Sequence, residues 1–433
     1  VSTTLNHLIN MYRLHFFLLL LLAAYIPRAQ AQGSIRLITT NENTARLVKS
    51  DPEYANRQSD LEGYIRSYKD DNTFAATAPT IPIVFHILYS SDEELIDLDQ
   101  VFKQIEALNR DFGTEENRQD TRILDEHNYL QKQSFAGLQF CLPETDETGL
   151  PTTGIVYYKT DKSEWSTDDA IKSKESGGIS PWDTQRFLNI WVGKMAHGIG
   201  GYAQMPAGEA TTDGIVIDYQ LFGNHSAEKQ PYSEGKTLTH LVGNYLGLYS
   251  LWGTGVECSD DKVYDTPIHN SPNFGVPSQG HISLCAGYPG EMWMNFMDCT
   301  EDSLRTMFTR GQRERMYAVL DKNGIRSKLL ETPVKCGVQA KFERSSESTS
   351  GGNIQVTAFP NPASDMVFVQ TIGAGQADIR MDVFAHSGQR ILFNDRVTQD
   401  AAFECASWPN GLYYLVFSKD GKTISTQKIS ILH

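Results

Sequence analysis

The sequence predicts an α/β domain followed by a small all-β sandwich, and three observations carry that expectation. IPIVFHILY (81–89) is a nearly unbroken apolar run rich in β-branched and aromatic residues, which reads as a buried strand. LDQVFKQIEALNRDF (98–112) then places Val101, Ile105, Leu108 and Phe112 at helical spacing, and strand-like stretches follow at 135–142 and 187–195. From residue 354 onward the pattern changes to short alternating runs: MVFVQTI, IRMDVFAHSGQRIL and GLYYLVFSKDGKTISTQKISIL. Lys419-Asp420-Gly421-Lys422 supplies a hairpin-turn signal inside the last of them.

Taken in order, residues 1–31 read as an export signal. Arg13 gives positive charge, FFLLLLLAA (16–24) the apolar core, and Ala29-Gln30-Ala31 a small-x-small cleavage site, with Met11 a candidate initiator. The alternative is a buried apolar helix. The run is nine residues long, whereas a bilayer span needs about 20. No other stretch is long and apolar enough to cross a membrane. Residues 32–78 are polar and read as a pro-segment or N-terminal extension, with one helix-like patch at 60–68 and no cysteine. The α/β domain is expected over 79–335, a linker containing ERSSESTSGG over 336–353, and the sandwich over 354–433.

A net charge of −15 over 433 residues argues against nucleic acid and anionic membrane surfaces as main partners. The six cysteines would sit in an oxidising compartment, where disulfides form, and no CxxC pair suggests a zinc ribbon.

TLTHLVGNYLGLYSLWG (237–253) decides the functional reading. A zinc-hydrolase helix places two His at i and i+4 on one face, with a Glu beside the first as general base. In metzincins a Gly then turns the chain toward a third ligand. Here His240 and Asn244 have the i, i+4 relation, Gly247 stands at the turn and Ser250 at the third-ligand spacing. By composition alone the simpler reading prevails, in which Leu238, Leu241, Val242, Tyr245 and Leu246 form a core helix carrying one His. His197, His225, His269 and His281 form no i, i+4 pair that would replace the missing ligands.

Over most of residues 80–320 the chain resembles the pappalysin-type metzincin metallopeptidases. The resemblance rests on IPIVFHILY, the 104–112 helix, GGISPWDTQRFLNIWV (177–192), GYAQMP (201–206), DGIVID (213–218), DDKVYDTP (260–267), Asn295-Phe-Met-Asp298 and MFTRGQRERM (307–316). It implies a metzincin-like fold, a mixed sheet plus an active-site helix, with Met297 as the Met-turn. It also implies that His240 is a remaining zinc ligand and that Asn244 and Ser250 hold the other two ligand positions. Leu241 replaces the general base, and Cys299 replaces a Tyr that assists the transition state. Asn and Ser are weak zinc ligands beside imidazole, and loss of a general base alone typically costs about 10²–10⁴ in rate. No catalytic residue is intact, zinc is not expected, and the chain reads as a pseudopeptidase whose cleft is kept for a peptide or protein ligand. Two alternatives stand beside it: an active zinc metalloendopeptidase with unconventional ligands, and a structural or adhesive surface protein.

The same resemblance implies a calcium loop at Asp261, the Val263 carbonyl and Thr266, with Asp265 orienting it; the alternative is a solvated acidic turn. It implies a Cys258–Cys285 disulfide and leaves Cys141, Cys299, Cys336 and Cys405 unassigned. The final region resembles the type A sorting domains of the type IX secretion system of Bacteroidetes, on AFPNPASDMVFV (358–369), FAHSGQRIL (384–392), PNGLYYLVF (409–417) and TISTQKISIL (423–432). Gly388 and Gly411 are expected in hairpin turns, and Lys428 on the last strand. That resemblance implies the type IX machinery as a partner and release or surface anchoring after outer-membrane passage. The alternative is a carbohydrate-binding or adhesive sandwich, for which Trp408 is the evident aromatic platform.

Overall fold

The computed structural model describes residues 37–68, 78–96, 98–114, 127–149, 152, 154–196, 198–223, 231–278 and 280–331, together with 354–433 except 360–362, 364–365, 373–377, 386–387 and 398–399. The export-signal segment, the Ser-rich stretch, His197, His225 and Cys336 lie outside the described residues.

Two helices come first, α1 (Thr40–Ser50) and α2 (Pro52–Ser67), where the sequence suggested one patch at 60–68. Asp51 separates them, its side chain accepting from the Glu53 amide at 3.1 Å, and Pro52 supplies a preset φ for the first turn of α2. The buried positions of α1 are Thr40 and Asn43, and that of α2 is Tyr54. An apolar stripe is therefore absent over α1 and the first turns of α2, where periodicity gives no signal.

The central sheet runs β3 (Gln139–Cys141), β1 (Thr80–Tyr89), β5 (Leu188–Gly193), β7 (Ile215–Asp218), β6 (Gly201–Ala203), with β4 (Ile155–Lys159) also paired to β1. All pairs are parallel except β6–β7. Residues Ile81 to Leu88 are buried throughout, as expected of a parallel strand covered on both faces. Helix α3 (Leu98–Phe112) lays Val101, Ile105, Leu108 and Phe112 into the same core as Ile81, Ile83 and Phe85. The expected strand at 135–142 is confined to β3. Gly137 (φ 68°) breaks the run, and the Gly137 and Leu138 amides donate instead to the carbonyls of Gly113 and Phe112 at the end of α3. A short pair, β2 (Gln133–Ser134) with β8 (Phe308–Thr309), leads into helices α5 (Arg310–Leu320) and α6 (Lys328–Glu331). Helix α4 (Lys236–Tyr245) is the candidate site helix.

The C-terminal region forms two antiparallel sheets, β13 (Asp400–Glu404)–β10 (Met366–Ile372)–β9 (Gln355–Phe359) and β12 (Arg390–Val397)–β11 (Ile379–Ala385)–β14 (Gly411–Lys419)–β15 (Lys422–Ile431). Val367, Val369, Met381, Val383, Leu415 and Ile429 share one core between them. Asp420 (φ 51°) and Gly421 (φ 76°) make the hairpin turn the sequence announced. Gly388 (φ 82°) turns between β11 and β12, whereas Gly411 opens β14 and is not in a hairpin turn.

One core residue couples this fold to pH. His86 on β1 is buried, stacks on Trp191 and lies 2.8 Å from Asn189 Oδ1. The Asn189 amide nitrogen already donates to the Trp182 and Phe187 carbonyls, so His86 Nε2 carries the proton and the ring is neutral. Burial lowers its pKa to about 4 from 6.5. As pH falls below 6.5 the unfolded chain takes up a proton that the folded chain refuses, so stability drops by about 1.4 kcal/mol per pH unit from this group. His86→Phe should make the pH dependence of stability between pH 6.5 and pH 4 shallower by one proton. Urea unfolding at several pH values measures that slope; an unchanged slope would contradict the assignment.

Candidate active site

Helix α4 is buried along its whole length and ends in a tight left-handed turn. Gly247 has φ +90°, its amide donates to the Asn244 carbonyl, and the Leu248 amide reaches back to the Gly243 carbonyl, each at 2.9 Å. This is the Schellman closure, for which a residue without Cβ is suited. A Cβ at Gly247 would also stand 2.9 Å from Val319. The turn sends the chain back so that Ser250 faces the helix. Met297 lies directly against it: a Cβ on Gly243 would meet its sulfur at 2.5 Å. The Leu251 amide donates to the Met297 carbonyl at 3.2 Å.

His240, Asn244 and Ser250 are brought together as their spacing predicts, and their polar atoms are turned on one another and on the rest of the chain. His240 Nδ1 faces the Asp298 carbonyl at 3.2 Å, and Nε2 lies 2.8 Å from Ser250 Oγ. A carbonyl only accepts, so Nδ1 holds the proton and Nε2 accepts from the Ser250 hydroxyl. The ring is fully buried, and burial with the nearby Arg305 charge lowers its pKa to about 3. Asn244 Nδ2 donates to the Leu248 carbonyl at 3.0 Å, while its Oδ1 accepts from the Thr40 hydroxyl at 2.8 Å. Leu241 is fully buried against β6, so that a Cβ on Gly201 would meet its Cδ1 at 2.7 Å.

These residues do not fit a zinc ion. Zinc needs several donors with free lone pairs facing one point. Here the His240 lone pair is taken by Ser250, the Asn244 oxygen by Thr40, and Leu241 contributes hydrocarbon. His269 and His281 do not reach in. His269 Nε2 accepts from the Met292 amide at 2.9 Å, and His281 Nε2 lies 2.9 Å from Glu291 and 2.8 Å from Asn273. Among the described residues, no group of three or more His, Cys, Asp or Glu side chains is arranged to hold a metal ion.

Cys299 is a buried free thiol whose pKa is pushed up by burial, packed with Trp252 and Leu37. Cys258 and Cys285 are disulfide-bonded, Cys141 is also disulfide-bonded, and Cys405 is buried. In the 260–267 loop, Thr266 Oγ1 donates to the Asp261 carboxylate at 2.8 Å and lies 3.0 Å from the Val263 carbonyl. The Val263 amide donates to Asp261 at 3.1 Å. Burial pushes the Asp261 pKa up to about 7. The three oxygens proposed from sequence therefore converge, and the turn closes through its own hydrogen bonds. Asp265 ties the loop to the start of α5, accepting from Thr309 Oγ1 at 2.7 Å and the Gly311 amide at 2.9 Å.

Sequence reasoning missed Thr40, which the N-terminal segment delivers to Asn244. It also missed Arg315, whose Nε donates to the Gly247 carbonyl at 2.6 Å. A polar residue in a polar segment carries no mark of a partner 204 positions away.

A parallel sheet with one antiparallel edge, a buried helix broken at Gly247 and a methionine, Met297, packed beneath it describe a metzincin-type peptidase domain. The comparisons agree. Residues 172–321 match the peptidase M43 family model described as pregnancy-associated plasma protein-A, and residues 357–432 match the secretion system C-terminal sorting domain. An extracellular metalloprotease of Arthroderma benhamiae is 29% identical over 261 residues, 58% of this chain and 75% of that protein. Among solved structures, a mutant of Tannerella forsythia promirolysin is 33% identical with a TM-score of 0.61, covering 68% of this chain and 97% of that one. Mature mirolysin of the same organism, in complex with a cleaved peptide, is 35% identical with a TM-score of 0.54, covering 59% and 96%. The chain belongs to the pappalysin family of metallopeptidases. It is a secreted or surface-attached protein bearing a type IX sorting domain. No helix among the described residues is long and apolar enough to cross a membrane.

Proposed function

We propose that this secreted pappalysin-family protein is not a peptidase, and that its cleft holds a peptide segment without cleaving it. The observation that supports this most directly is the closed pairing of His240 with Ser250 and of Asn244 with Thr40 at 2.8 Å each. Every polar atom at the inferred ligand positions has a partner, and an apolar side chain stands where a general base would be needed. His240 is then a vestige of a metal site, Met297 a retained structural support, and Cys299 a core residue. The sorting domain supports export by the type IX machinery. The family's calcium loop is retained in outline at Asp261, Val263 and Thr266.

Metal content and proteolysis test the reading together. Protein purified from zinc-supplemented medium should carry zinc well below one ion per chain, by mass spectrometry. It should leave a denatured protein substrate uncut, with or without chelator. Stoichiometric zinc with chelator-sensitive cleavage would overturn the proposal and favour an enzyme with unconventional ligands.

A further inference from the structure

Resting on the reading of the cleft as chemically inert, we propose that residues 37–67 are its permanent peptide ligand, held in cis and sealed by Thr40, and not a segment to be released. The segment begins against the open edge of β6. The Thr39 amide donates to the Gly201 carbonyl at 2.9 Å, and the Ala203 amide donates to Thr40 Oγ1 at 3.2 Å. Thr40 thus accepts from the edge strand and donates to Asn244 with the same hydroxyl. The backbone approach is close: a Cβ on Gly200 would stand 2.4 Å from the Leu37 carbonyl oxygen. Leu37, Thr39, Thr40, Asn43 and Tyr54 are all buried.

Beyond the cleft the segment is anchored by chemistry that belongs to a folded interior. Arg46 pairs with Asp169, which also meets the fully buried amine of Lys172 at 2.8 Å. Tyr54 donates from its hydroxyl to the Met205 carbonyl at 3.1 Å, and Arg57 donates to the Ala207 carbonyl at 2.9 Å. Glu62 pairs with Arg315, a side chain 4% exposed, which also holds the Gly247 carbonyl at the end of the site helix. Departure of the segment would uncover Trp252 and Cys299, against which Leu37 packs, and strip Arg315 of its carboxylate. A buried charge left without its partner is disfavoured far more than the intact pair is favoured. A peptide in this cleft is therefore selected by a small hydroxyl residue opposite Asn244 and an apolar residue three positions before it.

The test cuts the tether and asks whether the ligand leaves. A specific protease site is placed at residues 70–77 of the full chain, and the cut protein is passed through gel filtration in high salt. The N-terminal fragment should co-elute with the body in equal amounts. Thr40→Val, which keeps the shape and removes the hydroxyl, should raise the fragment's dissociation rate about tenfold. A fragment that leaves a still-folded body during the run, or a Thr40→Val fragment that leaves no faster, would overturn the proposal. Hydrogen exchange on the uncut protein gives a second measurement. The Thr39 and Ala203 amides should be as protected as those of β7, and rapid exchange there would also refute it. Zinc in a protein with a retained segment would fail the inert-cleft reading; a zinc-free protein with a released segment would fail the ligand proposal.

Discussion

Leu241→Glu, the change that reinstates the family's general base, should cost about 3–5 kcal/mol of folding stability and yield no peptidase activity. Leu241 is fully buried in the main core, with its methyl packed on the β6 backbone at Gly201. The substitution removes an apolar side chain whose burial is worth about 1.5–3 kcal/mol. It also puts a carboxyl group into that space. The nearest site polar groups are already matched: His240 with Ser250, and Asn244 with Thr40 and Leu248. The new group would sit protonated or pull water into the core, and either outcome loosens the helix. Leu241→Met, nearly equal in volume, should cost less than about 1.5 kcal/mol. Guanidinium unfolding of both variants measures the contrast. A Glu variant as stable as the parent would mean the position opens to solvent or to a cation.

The second large effect is expected at Arg315. Its guanidinium joins the Gly247 carbonyl, the Glu62 carboxylate and the face of Tyr249, whose ring centre is 5.2 Å away. Arg315→Met keeps the length of the stem and removes all three contacts. It leaves Glu62, which is 12% exposed, with Lys262 at 3.6 Å and the Tyr249 hydroxyl, neither of which replaces the paired guanidinium. Breaking one side of such a pair typically costs about 3–5 kcal/mol, because the survivor is stranded. Removing Glu62 as well should recover part of that loss, so Arg315→Met with Glu62→Leu should be less destabilised than the sum of the single changes. Urea unfolding of the four proteins gives the coupling, and strict additivity would show that the two groups do not depend on each other.

Apolar periodicity located what the core needs and little else. β1, α3 and the last two strands were legible because their burial is written in β-branched runs, a helical stripe and an Asp-Gly turn. The positions of His240, Asn244, Gly247 and Ser250 were legible because a helix followed by a glycine turn fixes their relation in space. What those side chains bond to was not legible. Thr40, Asp298 and Arg315 reach the site from remote parts of the chain, and hydrogen bonds leave no period in sequence. Helix α1 was missed for a related reason: its inward positions are Thr40 and Asn43, polar residues that dock by hydrogen bonding. Strand-like composition at 135–138 misled because Gly137 wraps the chain around the end of α3.

The pairing of Thr39 and Thr40 with β6 also bears on how the protein behaves in a crowd. The Gly201 carbonyl and the Ala203 amide point away from β7 at the rim of the sheet, and both are taken up by the N-terminal segment. Left bare, such a rim is a template on which a strand from another molecule can add, and addition of that kind feeds aggregation. With its rim covered from within, the folded molecule offers its neighbours no strand to copy at that edge. Colloidal stability outside the cell is then secured by the same few residues that fill the groove.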